Sequence, residues 1–306
     1  MPASNQIHQN KPLEGISIAY KNEEYIADKI APTYMVKHES DTYFVYSKDN
    51  LRLPETLRAV GAEAHEGDWN VSSASYVLDE HALKHLVAAR QRDNADPALD
   101  LDVDATEYLT DRILFRKEKA VIDLVQGNGN WANEMSLAAT NTWSLQTTVS
   151  NPIPMMDTAT AVILQGTGKK ANLCVLSLVG FNAAKENMNV TDRVKYTSAD
   201  SVTEGILAKL FNIAEVVVSR ATENQSDEGL ADSMAFLMTD CAFVGYVEKT
   251  PGLRKASALY NFVQGPSFGV KKYRVEERDG DMVEVSSKFK PHIVSSDCGF
   301  AFWNVA

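Results

Sequence analysis

The stretch DATEYLTDRILFRKEKAVIDLVQ, residues 104–126, predicts the longest helix of this chain. Its apolar residues recur at steps of three and four, as they do on one face of an α-helix. Asp104 is a suitable N-cap, with Glu107 three residues later as in a capping box, and Gly127 favours a helix end. At ~1.5 Å per residue this helix is roughly 34 Å long, which is long for a domain of this size.

Two segments before the helix are typical of β-strands. TYFVYS, residues 42–47, and WNVSSASYVL, residues 69–78, are rich in aromatic and β-branched residues. About twenty polar residues with glycine and proline separate them, which is longer than an ordinary hairpin connection. We therefore predict a long two-stranded arm that projects from the body. Because two strands alone are marginally stable in water, the arm is expected to lean on a neighbour.

Residues 80–87 predict a short helix, which would place His81 and His85 on one face. Two histidines four residues apart on a helix can bind a metal ion. A zinc-protease helix carries Glu beside the first His, but Ala82 stands there, and the spacing indicates no third ligand. A structural or solvent-exposed role is the stronger interpretation, and no metal site is predicted.

The residues after the long helix divide into a mixed part and a β-rich part. Residues 155–264 alternate helices with apolar strands, which favours one α/β domain. The last hairpin is predicted with a three-residue loop at residues 278–280. This register pairs Tyr273 with Val285 and places Gly280 in the left-handed conformation of a G1 bulge.

Composition excludes several classes of protein. The chain has 306 residues and a formal charge of -11, from 41 acidic and 30 basic side chains, with a mass of 33.7 kDa and a pI near 5.1. These values exclude a collagen-like, coiled-coil or wholly disordered chain. The acidic balance also argues against a protein whose main affinity for nucleic acid is electrostatic.

The sequence also bears on location. No apolar run approaches the ~18 residues of a transmembrane helix, and the polar N-terminus predicts no signal peptide. Cys174, Cys241 and Cys298 are odd in number and widely spaced, so they fit neither a disulfide framework nor a zinc site. A reducing cytoplasm is therefore expected.

Two glycine-rich segments have the wrong context for nucleotide binding. QGTGKKAN, residues 165–172, and QGNGN, residues 126–130, each follow a predicted helix, whereas a phosphate loop follows a strand and precedes a helix. The glycines of the first segment are predicted to cap the helix before it. There is no Gly-x-Ser-x-Gly elbow and no cysteine with a recognisable histidine partner. The sequence predicts no catalytic residue, cofactor or metal.

The order of elements is more informative than any motif. A polar arm, a projecting loop, a long helix, an α/β part and a closing β part resemble the Hong Kong 97-type fold of tailed-phage major capsid proteins. The likeness covers nearly the whole chain and implies an α+β fold. Local segments that are similar to phage coat proteins are NADPALDLDVDATEYLTDRILFRKEKAV (94–121), ANLCVLSLVGFNAAKENMNVTDRVKYT (171–197), AKLFNIAEVVVSRATEN (208–224) and AFVGYVEKTPGL (242–253).

The resemblance implies a division of the chain into the parts of that fold. These are an N-terminal arm (1–40), an E-loop hairpin (41–79), a peripheral domain (80–154) whose spine helix is 104–126, an axial domain (155–264) and return strands of the peripheral domain (265–306).

The resemblance further implies a shell subunit. Copies would form pentamers and hexamers of an icosahedral shell that encloses double-stranded DNA without sequence-specific binding, and the E-loop would lie over the neighbouring subunit. Further expected partners are portal and decoration proteins. Because only about forty residues precede the E-loop, the resemblance implies either a separate scaffolding protein or none. No membrane partner is expected. The protein would reside in the virion after synthesis in the cytoplasm of a bacterial host, and its negative charge would limit sticking to DNA.

Some charged residues are expected to form ion pairs between subunits, which fix register more than they add affinity. Two acidic residues of the spine helix, Asp111 and Glu118, are further charges that are expected at the surface. Simple solvation remains the alternative for about half of these residues, since exposed pairs contribute only ~0–1 kcal/mol. The candidates are Arg52, Arg58 and Glu63 in the E-loop, Arg112, Arg116 and Lys117 in the spine helix, and Asp227 and Glu228 in the axial domain.

Two alternatives stay open. A cellular nanocompartment shell of the same fold would enclose enzyme cargo and not a genome, and an exposed cargo-peptide groove beside the N-terminal arm would favour it. An α/β enzyme, from a different class, would be a small protein with no tendency to assemble.

Overall fold

The structure, a computed structural model, describes residues 24–46, 48–67, 71–94, 100–195, 201–252 and 255–306. Most of the predicted N-terminal arm and the start of the predicted second strand, at Trp69, lie outside these ranges. In the ranges described, no helix has the length and apolar character needed to cross a membrane.

Helices and strands are numbered in chain order. The helices are α1 (Ala27–Ile30), α2 (Ala89–Asn94), α3 (Leu101–Val125), α4 (Pro152–Thr167), α5 (Leu178–Glu186), α6 (Met188–Val194) and α7 (Glu204–Leu210). The strands are β1 (Thr33–Val36), β2 (Ser40–Tyr46), β3 (Val71–Val77), β4 (Asp79–Ala88), β5 (Asn133–Ser136), β6 (Leu173–Ser177), β7 (Glu215–Ser219), β8 (Thr222–Asn224), β9 (Met234–Phe236), β10 (Cys241–Gly245), β11 (Leu259–Val275), β12 (Gly280–Ile293) and β13 (Gly299–Trp303).

The described chain divides into two units. One contains residues 80–116 and 266–287, and the other contains residues 24–79, 117–265 and 288–306. Helix α3 and strands β11 and β12 each contribute residues to both units.

The long helix α3 is confirmed, but its start was predicted wrongly. It covers Leu101–Val125, 25 residues or about 37 Å. The side chain of Asp100 accepts hydrogen bonds from the backbone amides of Asp102 (3.1 Å) and Val103 (3.3 Å), so Asp100 is the N-cap. Asp104 lies inside the helix, because its amide already donates to the carbonyl oxygen of Asp100 at 2.9 Å.

The predicted helix at residues 80–87 is wrong, because this segment forms strand β4. It is an edge strand of a four-stranded sheet with the order β1-β11-β12-β4. Pairing with β12 satisfies the hydrogen-bonding groups of its backbone. This tertiary pairing outweighs the weak local preference of residues 80–87 for a helix. His81 and His85 are four residues apart along a strand, roughly 13 Å, so they do not form a shared metal site.

The predicted loop between β11 and β12 is also corrected. A 3-10 turn precedes Asp279, and it is Asp279 that takes the left-handed conformation, with φ of 41°. Tyr273 is exposed and Val285 is fully buried, and their predicted pairing stays a prediction. Gly280 serves a close approach instead: a Cβ there would lie 2.7 Å from the carbonyl oxygen of Val87.

The second unit contains a five-stranded sheet with the order β5-β13-β10-β6-β7. Strand β10 pairs antiparallel with β13 and with β6, and β7 runs parallel to β6. Every residue of β6 and β10 is buried, and helices α4 to α7 contribute to the same core, which confirms the mixed character of residues 155–264. Strand β13, which the sequence grouped with the return strands, lies inside this sheet.

Helix α4 shows why the glycine-rich segment after it is not a phosphate loop. Asn151 caps its start by accepting from the amide of Ile153 at 3.1 Å. Gly168 ends it in the left-handed conformation, with φ of 68°, and donates to the carbonyl oxygen of Leu164 at 2.8 Å. The prediction that a glycine caps this helix is confirmed.

Candidate assembly surface

The two-stranded arm forms as predicted. Strands β2 and β3 pair antiparallel from Ser40 opposite Val77 to Tyr46 opposite Val71. Because side chains alternate along each strand, the ribbon has two faces. The outer face leaves Phe44 64% exposed and Val77 56% exposed.

The inner face of the ribbon packs on its own chain. The ring of Tyr76 stacks on Phe262 of β11, with centroids 4.7 Å apart and planes at 19°. The ring centroid of Tyr43 lies 5.8 Å from that of Phe262 and 5.9 Å from that of His292. Burial raises the pKa of Tyr43 and Tyr76 and lowers that of His292. The base of the arm is therefore held by an aromatic cluster of the same subunit, whereas the sequence predicted only that it leans on a neighbour.

The tip of the arm, residues 48–67, has no such support. Lys48 starts it with an ion pair to Asp297 at 2.7 Å, within a 3-10 turn. Beyond that turn every residue of the tip is exposed, including Leu53 at 95%, Leu57 at 83% and Val60 at 108%. Large aliphatic side chains with this degree of solvent exposure indicate an interaction surface.

Three of the predicted interface residues lie on this tip. Arg58 Nε donates to the carbonyl oxygen of Ala62 at 2.5 Å, so its guanidinium braces a turn within the tip. Arg52 and Glu63 are exposed, as their predicted role requires.

Two further candidates lie on α3. Arg112 is one-third exposed, pairs with Asp111 at 2.7 Å and lies over the rings of Tyr108 and Phe115, 5.5 Å from each centroid. Arg116 is exposed. Arg112 is thus held in position by its own helix, and Arg116 faces solvent.

Lys117 and its neighbour Glu118 act within the subunit. Lys117 is 12% exposed and pairs with Asp28 of α1. Glu118 is fully buried, and its Oε2 accepts from the backbone amides of Ile26 (3.0 Å) and Ala27 (2.7 Å). Burial raises the pKa of Glu118, against the opposing effect of these two hydrogen bonds.

Sequence reasoning counted Glu118 among surface charges, although a signal was present. Glu118 is four residues after Leu114 and three before Val121, so it lies on the apolar face of α3. A carboxylate there needs a buried donor, and α1 provides two backbone amides.

The last two candidates, Asp227 and Glu228, lie in the loop between β8 and β9. Both are exposed, and so are Leu230 and Met234 nearby, at 68% and 65%. Asn224 organises the loop, because its side-chain oxygen accepts from the amides of Ser226 (3.2 Å) and Ser233 (3.0 Å). This ribbon is a second exposed apolar feature with acidic residues beside it.

A charge cluster in the first unit was not predicted. Arg92 binds Asp102 at 2.9 Å and Asp281 at 2.7 Å, and Lys272 lies 2.6 Å and 3.7 Å from the same two carboxylates. The pKa of Asp102 is lowered mainly by Lys272, and that of Asp281 mainly by Arg92. No sequence pattern brings together residues this far apart along the chain.

Reactive side chains are scarce in the described residues. Cys174, Cys241 and Cys298 are buried and unpaired, and burial raises the pKa of the Cys241 thiol to about 12. Across the ranges that the structure describes, no three His, Cys, Asp or Glu side chains group closely enough to hold a metal ion.

The chain is similar to phage proteins over nearly its full length. No family model matches it. It is 24% identical over 300 residues to the major capsid protein of Burkholderia phage BcepMu, covering 94% of each chain. It is likewise 24% identical over 308 residues to the major capsid protein of Pseudomonas phage JBD67, covering 95% of each.

Solved structures decide the fold. A phage-related protein from Bordetella bronchiseptica RB50 matches with a TM-score of 0.75 at 21% identity, over 94% of this chain and 93% of that one. The capsid of cyanophage P-SCSP1u matches with a TM-score of 0.68 at 10% identity, over 96% and 92%. The chain has the Hong Kong 97-type capsid fold.

A virus-like particle from Pyrococcus furiosus matches with a TM-score of 0.54 at 10% identity, over 90% of each chain. The Hong Kong 97-type fold thus accounts for nearly the whole chain, and the predicted α+β class, with 31% helix and 33% strand, is confirmed.

Proposed function

We propose that this chain is a phage major capsid protein, whose copies assemble into the icosahedral shell of a virion around double-stranded DNA. The observation that carries the proposal is the uncovered tip of the arm, on a chain with a capsid fold. The full-length similarity to two phage major capsid proteins supports it.

The tip explains why such a chain would assemble. Leu51, Leu53, Leu57 and Val60 are between 63% and 108% exposed. Complete burial of one such side chain contributes about 1.5–3 kcal/mol, and an isolated subunit gains little of it. Contacts between copies recover this free energy.

The parts of the fold take the roles that the family gives them. The ribbon β2–β3 with its tip is the E-loop, α3 is the spine helix, and the sheet containing β6 and β10 belongs to the axial domain. The first described residues, from Glu24, continue the N-terminal arm. Head-to-tail contacts between such subunits close into rings, here pentamers and hexamers.

The charged residues that remain available set the register between subunits. Lys117 is excluded from this group, since Asp28 of the same chain neutralises it and its side chain is nearly buried. The proposed intersubunit set is Arg52, Arg58, Glu63, Arg112, Arg116, Asp227 and Glu228.

The shell contacts mainly itself. The formal charge of -11 repels DNA phosphate, so the inner surface limits sticking while the genome moves. We infer a structural and non-enzymatic role, with scaffolding, portal and decoration proteins as further partners.

A nanocompartment shell is the second candidate, because the particle from Pyrococcus furiosus shares the fold. The contents of purified particles distinguish the two candidates. Particles that contain DNA after infection would favour the phage capsid, and particles that contain a defined protein cargo and no DNA would favour the nanocompartment.

Negative-stain microscopy of the purified chain tests assembly. Closed shells or rings of five and six subunits are the expected result. A monodisperse small protein, at concentrations where related capsid proteins assemble, would contradict the proposal and favour an enzyme or another monomeric role.

A further inference from the structure

We propose that the tip of one subunit docks into a groove beside strand β1 of a neighbouring subunit. The inference rests on the proposed function and identifies the receiving site of the exposed tip.

The groove has the shape and lining of a peptide site. It encloses about 900 Å³ between β1, the base of the β2–β3 ribbon and residues 252–256. Cavities of this size with apolar walls suit an extended chain segment. Its aromatic walls are Tyr34, Tyr43, Tyr76, Tyr260 and Phe262.

Strand β1 adds an open backbone edge to the groove. It pairs parallel with β11 from Thr33 opposite Asn261 to Val36 opposite Gln264. It is the terminal strand of its sheet within the described residues, so its other edge has no strand beside it. Met35 of this strand is 57% exposed and lines the groove. An extended segment can add here as a further strand.

The tip supplies a segment that fits this edge. Residues 53–59 form no helix or strand and are fully exposed. Leu53 and Leu57 project apolar side chains, with Glu55 between them. Its apolar side chains match the aromatic walls of the groove, and its carbonyl groups can pair with the open edge of β1, although Pro54 has no N–H and the amide of Leu57 donates to Glu55.

Charge favours the same pairing. Lys37 lines the groove, and it makes no ion pair with the described residues. Lys255 also lines it and binds the carbonyl oxygen of Thr250 at 2.8 Å, while Asp41 is the acidic residue of the lining. The carboxylate of Glu55 has only the amide of Leu57, at 2.9 Å, as its described partner. Lys255 is already paired with Glu248 at 3.3 Å, so Glu55 of a docked tip would bring its negative charge to Lys37.

The occupant is a second copy because a subunit holds its own tip elsewhere. The ion pair of Lys48 with Asp297 and the side chain of Leu51 beside Gly168 fix the start of the tip, and its remaining residues stay exposed. A donor segment and an acceptor groove at different places on one chain make a head-to-tail contact, which propagates around a ring.

Disulfide trapping between two subunit populations tests the docking. Tagged subunits carrying Leu53→Cys are co-assembled with untagged subunits carrying Met35→Cys, and the particles are oxidised. We expect a crosslinked dimer containing both chains. The three native cysteines are buried, so they add little background. Leu57→Cys replaces Leu53→Cys if the first variant does not assemble.

The matched control acceptor is Val179→Cys, which is 45% exposed on α5 and outside the groove. Particles that form but give no dimer with Met35→Cys, or as much dimer with Val179→Cys, overturn the docking site while the shell function stands. A disulfide between Met35→Cys and another protein also overturns it. Failure of the unmodified chain to form any particle overturns the shell function and this inference with it.

Charge reversal provides a second measurement. Lys37→Glu and Glu55→Lys should each lower the yield of particles, and the double variant should recover it. If the double variant does not recover the particle yield and no crosslinked dimer forms, the proposed docking of the tip in this groove is contradicted.

Discussion

The side chain of Glu118 accepts a hydrogen bond from the backbone amide of Ala27 at 2.7 Å. The same oxygen accepts from Ile26 at 3.0 Å. These contacts join α3 to residues about ninety positions earlier in the chain, where Ile26 and Ile30 are completely buried. The long helix therefore holds the start of α1 in place.

Replacing Glu118 tests this fastening. Glu118→Ala leaves two buried amides without an acceptor, each costing about 1–3 kcal/mol, so we expect a loss of about 2–6 kcal/mol in the free energy of unfolding. Denaturant unfolding of the unassembled subunit measures it. Unchanged stability would show that these hydrogen bonds contribute nothing.

Glu118→Gln is the matched variant, because it keeps an oxygen acceptor. The pKa of Glu118 is raised in the folded state, so its ionised form opposes folding and its contribution becomes more favourable as pH falls through that pKa. The neutral glutamine should therefore lose less stability than alanine, and its stability relative to the wild type should improve as pH rises. A trend in the opposite direction would contradict the burial argument.

The cluster around Asp281 predicts a different pH dependence. Arg92 and Lys272 lower its pKa below the ordinary value of 3.8, so it stabilises the folded state above that pH and the contribution is lost as pH falls through the folded pKa. We expect Asp281→Asn to melt at a lower temperature than the wild type at pH 7. The gap should close in acid below 3.8, and a gap that is independent of pH would exclude this cause.

Phe262→Ala tests the aromatic cluster that holds the base of the arm. Phe262 stacks on Tyr76 and contacts Tyr43, so its removal should cost about 3–5 kcal/mol and speed proteolysis within the arm. Phe44→Ala is the control, since Phe44 lies on the outer face and is 64% exposed. It should change subunit stability by no more than about 0.5 kcal/mol. Equal losses for the two variants would contradict the assignment of inner and outer faces.

Assembly should depend on salt. Each subunit carries a formal charge of -11, and copies therefore repel one another. The Debye length falls from about 30 Å at 0.01 M to about 8 Å at 0.15 M ionic strength, which screens this repulsion. Light scattering should show faster assembly at the higher salt. Slower assembly would indicate that attractive ion pairs, rather than apolar burial, dominate the contacts.

The local sequence pattern was sufficient to predict the helices and strands whose own residues favour one secondary structure strongly. The apolar repeat of α3 and the aromatic, β-branched runs of β2 and β3 predicted each element in its place, to within a few residues. The start of α3 was missed because both Asp100 and Asp104 are good caps, and only the hydrogen bonds distinguish them.

Elements decided by distant partners were not predictable. Strand β4 depends on pairing with β12, and its own sequence is equally compatible with a helix. Phe262 received no role from its sequence context, although it anchors the arm, because Tyr76 and Tyr43 reach it only in the folded chain. The interface candidates were chosen as exposed charges, and tertiary contacts remove Lys117 from them.

Deletion of residues 51–67 tests whether shells form through the exposed tip. The wild type and the deletion variant are purified in parallel, checked for equal secondary structure by circular dichroism, and compared by sedimentation velocity and electron microscopy. We expect large closed particles from the wild type and a folded, soluble subunit without shells from the variant. Normal shells from the deletion variant, or none from the wild type, would contradict it.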